Sequence, residues 1–135
     1  MLKAVIDTNI WISALMNSSL TRPILNAFIN AEFTPVISNK LLKELNDTLN
    51  EPKIKRLIPT NDAREFIALI DDKGHKFEPC LKLNVCRDLN DNFILSLSVE
   101  TKTPLVSLDK DILILKESAQ FSILSPKEFL IRLKK

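Results

Sequence analysis

The sequence predicts an α/β fold built on a central, mostly parallel sheet, and three observations carry that expectation. Short apolar runs, dense enough to be buried on both faces, alternate with longer segments of helical periodicity. The spacing between successive runs leaves room for a helix, which a parallel connection needs. Two of the runs also end directly in aspartate, at Asp7 and Asp109, on the edge where parallel sheets place their ligands.

Leu2 to Ile6 reads as the first strand and Ile10 to Met16 as a short helix. Pro23 to Ala31 is a second helix, with proline in its first turn. Thr34 to Ser38 is the next strand, and Ser38 is placed to cap a helix whose apolar stripe is Leu41, Leu42, Leu45 and Leu49. Asp62-x-x-Glu65 has the spacing of a capping box ahead of Phe66, Ile67, Leu69 and Ile70. His75 to Phe77 is short enough for an edge strand. Asp88 opens a helix carrying Phe93, Ile94, Leu97 and Val99, and Thr103 to Ser107 is a further strand with a short helix from Ile112 to Leu115 behind it. Phe121 to Leu124 is the last strand. Ser125-Pro126-Lys127-Glu128 combines a cap, a first-turn proline and a third-position glutamate.

Residues 1–135 show no internal repeat, low-complexity tract or Ser/Gly linker, so the expectation is one domain with helices on both faces of the sheet. The single glycine, Gly74, leaves Asn, Asp and Pro to supply most turns. No run approaches the roughly 18 to 20 apolar residues that cross a bilayer, and Asp7 interrupts the first apolar run before a signal sequence could form. These features point to a cytoplasmic protein without a membrane partner. Cys80 and Cys86, with the lone His75, are too few for a disulfide framework or a structural zinc site. They read as reduced thiols.

The acids are the informative residues. Asp7 and Asp109 follow buried strands, and each alone could simply cap the next helix. Together, Asp7-Thr8-Asn9 and Ser107-Leu108-Asp109-Lys110-Asp111 put two oxygen-rich clusters on one sheet edge. Such hard donors suit Mg²⁺ or Mn²⁺, which fill the rest of their shell with water and phosphate. Glu44 lies beside the Leu41, Leu45 and Leu49 stripe, where a glutamate is costly to bury unless paired or metal-bound. Asp88 and Asp91 share a helix face, and Asp88 as cap leaves Asp91 in the first turn, at the start of the apolar face. With Asp7, Glu44, Asp91 and Asp109 set aside from the 17 acids, 13 remain against 19 basic residues, a body suited to a polyanion.

Val5-Ile6-Asp7-Thr8-Asn9, Ser38-x-x-Leu41-x-x-Glu44-Leu45, Arg87-Asp88-x-x-Asp91-Asn92-x-Ile94-Leu95-x-Leu97 and Leu105-Val106-Ser107-x-Asp109-Lys110-Asp111-Ile112-Leu113 occur in this order. In that order the chain resembles the PIN-domain nucleases over essentially its whole length, and among them the prokaryotic toxin components of toxin–antitoxin pairs. The resemblance implies a three-layer α/β/α sandwich. It implies a metal-dependent ribonuclease whose Asp7, Glu44, Asp91 and Asp109 hold one or two Mg²⁺ or Mn²⁺ ions, with Asp88 and Asp111 as additional acids and Asn9 and Ser107 as supporting polar groups. It also implies an RNA substrate, a homodimer and a small antitoxin partner. Thr101-Lys102-Thr103 departs from the family, which often has glycine in this turn.

Lys40, Lys43, Lys53, Lys55 and Arg56 form the densest basic neighbourhood and are candidate contacts to the RNA backbone, or alternatively a solvated face. Trp11, Phe28, Phe66, Phe93 and Phe129 fall at core spacings, which leaves little for base stacking. Two rivals place acids similarly. A phosphate-handling receiver domain would pair acids after its first strand and leave Glu44 without a role. A non-catalytic RNA- or protein-binding module would have no need of four acids.

Overall fold

Ala4 and Val5 are wholly buried because a strand pairs with them on each side. In the computed structural model, which describes residues 1–80 and 83–135, β1 (Lys3–Ile6) lies between β2 (Thr34–Ile37) and β4 (Leu105–Val106). β3 (His75–Lys76) adds beyond β2, and β5 (Ile123–Leu124) beyond β4, giving the order β3-β2-β1-β4-β5. Every pairing is parallel, with Val5 opposite both Val36 and Leu105. The sequence pattern predicts a mostly parallel sheet, and all five described strands obey it.

Helices cover both faces in a three-layer α/β/α sandwich. They are α1 (Thr8–Leu15), α2 (Arg22–Ile29), α3 (Asn39–Leu49), α4 (Pro52–Lys55), α5 (Thr60–Lys73), α6 (Leu89–Thr101), α7 (Lys110–Leu113) and α8 (Pro126–Leu133), with a 3₁₀ turn at Ile114–Glu117. Trp11 of α1 packs on Phe66 of α5 and Phe28 of α2, with ring centroids 5.1 and 5.5 Å apart. Phe33 continues the cluster edge-on to Phe129 of α8 at 4.9 Å. Each such side chain contributes on the order of 1.5–3 kcal/mol by burial, and the tilted ring pairs add to it. Phe93 is the exception among the expected core aromatics, being only partly buried, with the Lys40 ammonium over its ring.

The caps show which local signals the chain obeys. Ser38 accepts the Leu41 N–H at 3.1 Å, and Ser125 and Glu128 close the expected capping box. Asp62-x-x-Glu65 forms no capping box. α5 begins two residues earlier, at Thr60, so Asp62 is already inside its first turn and no side chain caps the helix. Pro59 is the N-cap, its extended backbone presenting the carbonyl that accepts the Ala63 N–H at 3.1 Å. α4, with four residues, is too short for a periodicity signal and is not anticipated by the sequence pattern.

Gly74 stands where α5 turns into β3. A Cβ there would lie 2.6 Å from the Ile70 carbonyl oxygen and 2.9 Å from Ile37 Cγ2. Gly74→Ala is expected to destabilise the protein by about 1–3 kcal/mol, read as a lower urea midpoint with unchanged slope. Lys102 ends α6 in the left-handed region, at φ 55°, the backbone conformation that glycine adopts most readily. Lys102→Gly should raise the urea midpoint, by about 0.5–1 kcal/mol of stability.

Candidate functional site

The winding of the sheet reverses at β1. One crossover leads to β2 on one side and another to β4 on the other, so a crevice opens beyond the carboxyl ends of β1 and β4. β1 ends at Asp7 and β4 runs through Ser107 to Asp109. A cleft of about 310 Å³ lies there, lined by Asp7, Glu44, Asp47, Asp88, Asp91 and Asp109. Thr8, Asn9, Thr48 and Asn90 contribute oxygen and amide groups to its walls. No lysine or arginine lines it.

Ser107 ties the two strand ends together. Its hydroxyl donates to Asp7 Oδ2 at 2.8 Å and accepts the Asp109 N–H at 3.0 Å. Asp7 stands at the N-cap of α1, where its side chain closes no capping hydrogen bond and bonds Ser107 instead. Asp109 does cap α7, its Oδ1 accepting the Asp111 N–H at 2.9 Å. Asp88 likewise caps α6 through the Asn90 N–H at 2.8 Å. In both aspartates the other carboxylate oxygen carries no hydrogen bond among the described residues.

Asp91 sits one turn into α6, a helix packed on β1 and β4 and buried nearly all round from Asp91 to Ser98. Its polar groups are satisfied internally. The Asn92 side chain accepts the Val85 and Cys86 N–H groups at 3.0 and 2.8 Å, holding the segment before Asp88, and Ser96 donates to the Asn92 carbonyl. Asp91 itself is 8% exposed. Burial first, then repulsion from Asp109, Asp88, Asp7 and Asp111, pushes its pKa up to about 6. The helix dipole opposes this by only about 0.3–1 kcal/mol, against roughly 3 kcal/mol for a shift of that size, so desolvation and repulsion prevail.

Burial also raises the pKa of Asp7, with Asp109 adding repulsion, although the Ser107 hydroxyl and the Asn9 and Thr8 backbone pull the other way. Glu44 is raised by desolvation, partly countered by Lys40 and reinforced by Asp88, Asp47 and Asp7. Burial first, then repulsion from Asp91, Asp111, Asp109 and Asp88, pushes the Cys86 thiol up, the opposite of what a thiolate nucleophile requires. Both cysteines are free.

The structure thus brings Asp7, Glu44, Asp88, Asp91, Asp109 and Asn9 to one cleft, with Ser107 buried behind it. Asp111 is exposed at the rim, outside the lining, and acts on Asp91 through its charge. Lys40, Lys43, Lys53, Lys55 and Arg56 are all exposed and none lines the cleft. Lys40 stands 4.4 Å from the Phe93 ring centre and Lys43 pairs with Asp47 at 3.9 Å. Asp47 and Thr48 were missed by the sequence reading. Their spacing of three and four from Glu44, on one helix face, was the available signal.

An all-oxygen donor set without a compensating cation fits a hard divalent ion such as Mg²⁺ or Mn²⁺. Among the described residues no three His, Cys, Asp or Glu side chains are arranged to hold an ion directly. Mg²⁺ commonly takes only one or two protein carboxylates and fills the rest of its shell with water and substrate. Because the folded pKa of Asp91 exceeds its unfolded value, its stabilising contribution is complete below about pH 4 and is lost as pH rises through about 6. The protein in EDTA should therefore melt at higher temperature at pH 5 than at pH 7.5, and Asp91→Asn should shrink the difference by raising the pH 7.5 value.

A PIN-domain profile matches residues 3–111. An uncharacterized protein of Methanocaldococcus jannaschii is 27% identical over 139 residues, covering 96% of this chain and 90% of that protein. No described helix is long and apolar enough to cross a membrane. With the acidic cleft at the carboxyl edge of a parallel sheet and the match over most of its length, the chain belongs to the PIN-domain family, in general a family of nucleases.

Proposed function

We propose that this protein is a divalent-metal-dependent endoribonuclease that hydrolyses RNA phosphodiester bonds. The observation that carries the reading is the cleft itself, with six carboxylates and no lining cation, at the winding reversal of the sheet. Left to themselves, these charges would repel a phosphodiester. At an effective dielectric of about 20, two like charges roughly 6 Å apart cost nearly 3 kcal/mol, so a polyanion can enter only alongside cations. Asp7, Glu44, Asp91 and Asp109 would hold one or two Mg²⁺ or Mn²⁺ ions, with Asp88 at the rim. When bound, such ions supply Lewis-acid neutralisation of phosphate charge and a water acidified toward neutral pH.

The chain's own residues supply position and proton balance. Ser107 fixes the Asp7 carboxylate by holding Oδ2, and through the Asp109 N–H it sets the distance between the two strand ends. Burial raises the pKa of both Asp7 and Asp91, and Asp91, pushed up to about 6, takes up a proton below that pH which must leave when a cation enters. Asn9 and Thr8 present polar groups at the cleft wall next to Asp7. The choice of RNA follows the family resemblance. So does the fuller reading, in which the protein is the toxin of a type II pair, acts as a homodimer and is silenced by a small antitoxin protein.

Purified protein incubated with a mixed RNA pool should cleave it in Mn²⁺ or Mg²⁺ and stop in EDTA. Asp7→Asn and Asp91→Asn should each lower the rate by at least about a hundredfold while the protein stays folded. Mn²⁺ should raise the wild-type melting temperature and release protons, with both effects reduced in Asp91→Asn. RNA binding without any metal-dependent cleavage by folded, inhibitor-free protein would replace this reading with a non-catalytic binding module.

A further inference from the structure

A second concavity, of about 190 Å³, lies on the other side of α3. That helix turns Glu44, Asp47 and Thr48 to the acidic cleft and Asn46, Leu49 and Asn50 to this one. α4 contributes Lys55, and α5 contributes Thr60 and Arg64. The floor is apolar, with Leu49 and Ile58 buried. No Asp or Glu lines it, and neither Lys55 nor Arg64 forms an ion pair among the described residues. α5 segregates its charges accordingly, since Asp62 and Glu65 face a different groove beside Arg22. Its uncapped first turn adds backbone N–H groups and the positive end of a 14-residue helix dipole.

We propose that this concavity is a subsite for a backbone phosphate of the nucleic-acid strand outside the acidic cleft. Lys55 and Arg64 are its charged contacts, and Asn46, Asn50 and Thr60 its hydrogen-bonding partners. Two unpaired cations facing one hollow, over an apolar floor that a ribose can cover, are matched to a phosphate-bearing strand and to no cationic ligand. The identity of that strand as RNA rests on the nuclease reading above. A helix is about 10–12 Å across, so only a strand of several nucleotides can pass over α3 and reach from one cleft to the other. Of the five basic residues expected to touch RNA, only Lys55 lines the subsite. Lys53 and Arg56, on the same short segment, do not.

The test compares wild type with the Lys55→Gln/Arg64→Gln pair and with Arg132→Gln/Lys134→Gln, which removes equal charge from the region of α8. Binding of an eight-nucleotide RNA is measured against salt in the Asp7→Asn background, and cleavage of that RNA and of a dinucleotide in the Asp7 background. Each lost phosphate contact should reduce the slope of log K against log salt by about 0.7. The Lys55/Arg64 variant, which loses that one contact, should therefore lose about 0.7. Its KM for the octamer should rise about tenfold with kcat held, and its dinucleotide kinetics should stay unchanged. The charge-keeping Lys55→Arg/Arg64→Lys variant should retain the wild-type slope. Slopes and KM values equal to those of the α8 control, or failure of the charge-keeping variant to retain the slope, overturn the subsite. Reduced slope in a protein that never cleaves RNA supports the subsite and defeats the nuclease reading instead.

Discussion

The parallel pairing of β1 with β2 on one edge and β4 on the other is the constraint from which the site follows. It forces the chain to leave β1 in one direction and return in the other, and no helix can cover the crevice where the two paths part. What occupies that crevice is decided by the residues that end the strands. Asp7 and Asp109 arrive there about a hundred positions apart in sequence, and Ser107 joins them with one hydroxyl used both as donor and as acceptor. α3 and α6 then bring Glu44 and Asp91 to the same opening as they bury Leu41, Leu45 and Leu49 of α3 and Ile94, Leu95 and Leu97 of α6.

Assembling carboxylates opposes folding. A penalty near 3 kcal/mol at Asp91 alone is a substantial part of the about 5–15 kcal/mol by which a domain is stable. The surroundings are built to bear it. α6 is buried nearly all round from Asp91 to Ser98, its serines and Asn92 bonded within the protein, and Ala4 to Ile6 of β1 and all of β4 behind it are buried. No buried side-chain nitrogen or oxygen lacks a partner among the described residues. The strain of the site is therefore electrostatic, concentrated in charges that a divalent cation would relieve, and it is not spread through the packing.

Much of this was legible in the sequence because the strongest signals are local. The strand ends at Asp7 and Asp109, the Ser38 and Asp88 caps and the Ser125 capping box each depend on a few neighbouring residues. The misreadings came where local pattern and chain path compete. Asp62-x-x-Glu65 has capping-box spacing, yet Pro59 already starts the helix. Phe93 has core spacing, yet its ring serves as a platform for Lys40 at the surface. Proximity in sequence also overstated the basic cluster. Lys53, Lys55 and Arg56 follow one another closely, but only Lys55 shares a hollow with Arg64, and that partner belongs to another helix.

Keeping the cations out of the acidic cleft has a physical logic of its own. A lysine within it would neutralise the carboxylates permanently and compete with any divalent ion for the same oxygens. Lys40, close enough to lower the pKa of Glu44, is held over Phe93, and Lys43 pairs with Asp47, both from outside the lining. The cationic hollow lies across the width of α3, about 10–12 Å, which is comparable to the Debye length of about 8–10 Å at physiological salt. Fields of opposite sign at that separation are largely screened from each other, so neither cleft cancels the other. A polyanionic strand long enough to span α3 would meet both, drawn by charge on one side and by metal on the other, while a shorter one would meet only the acids.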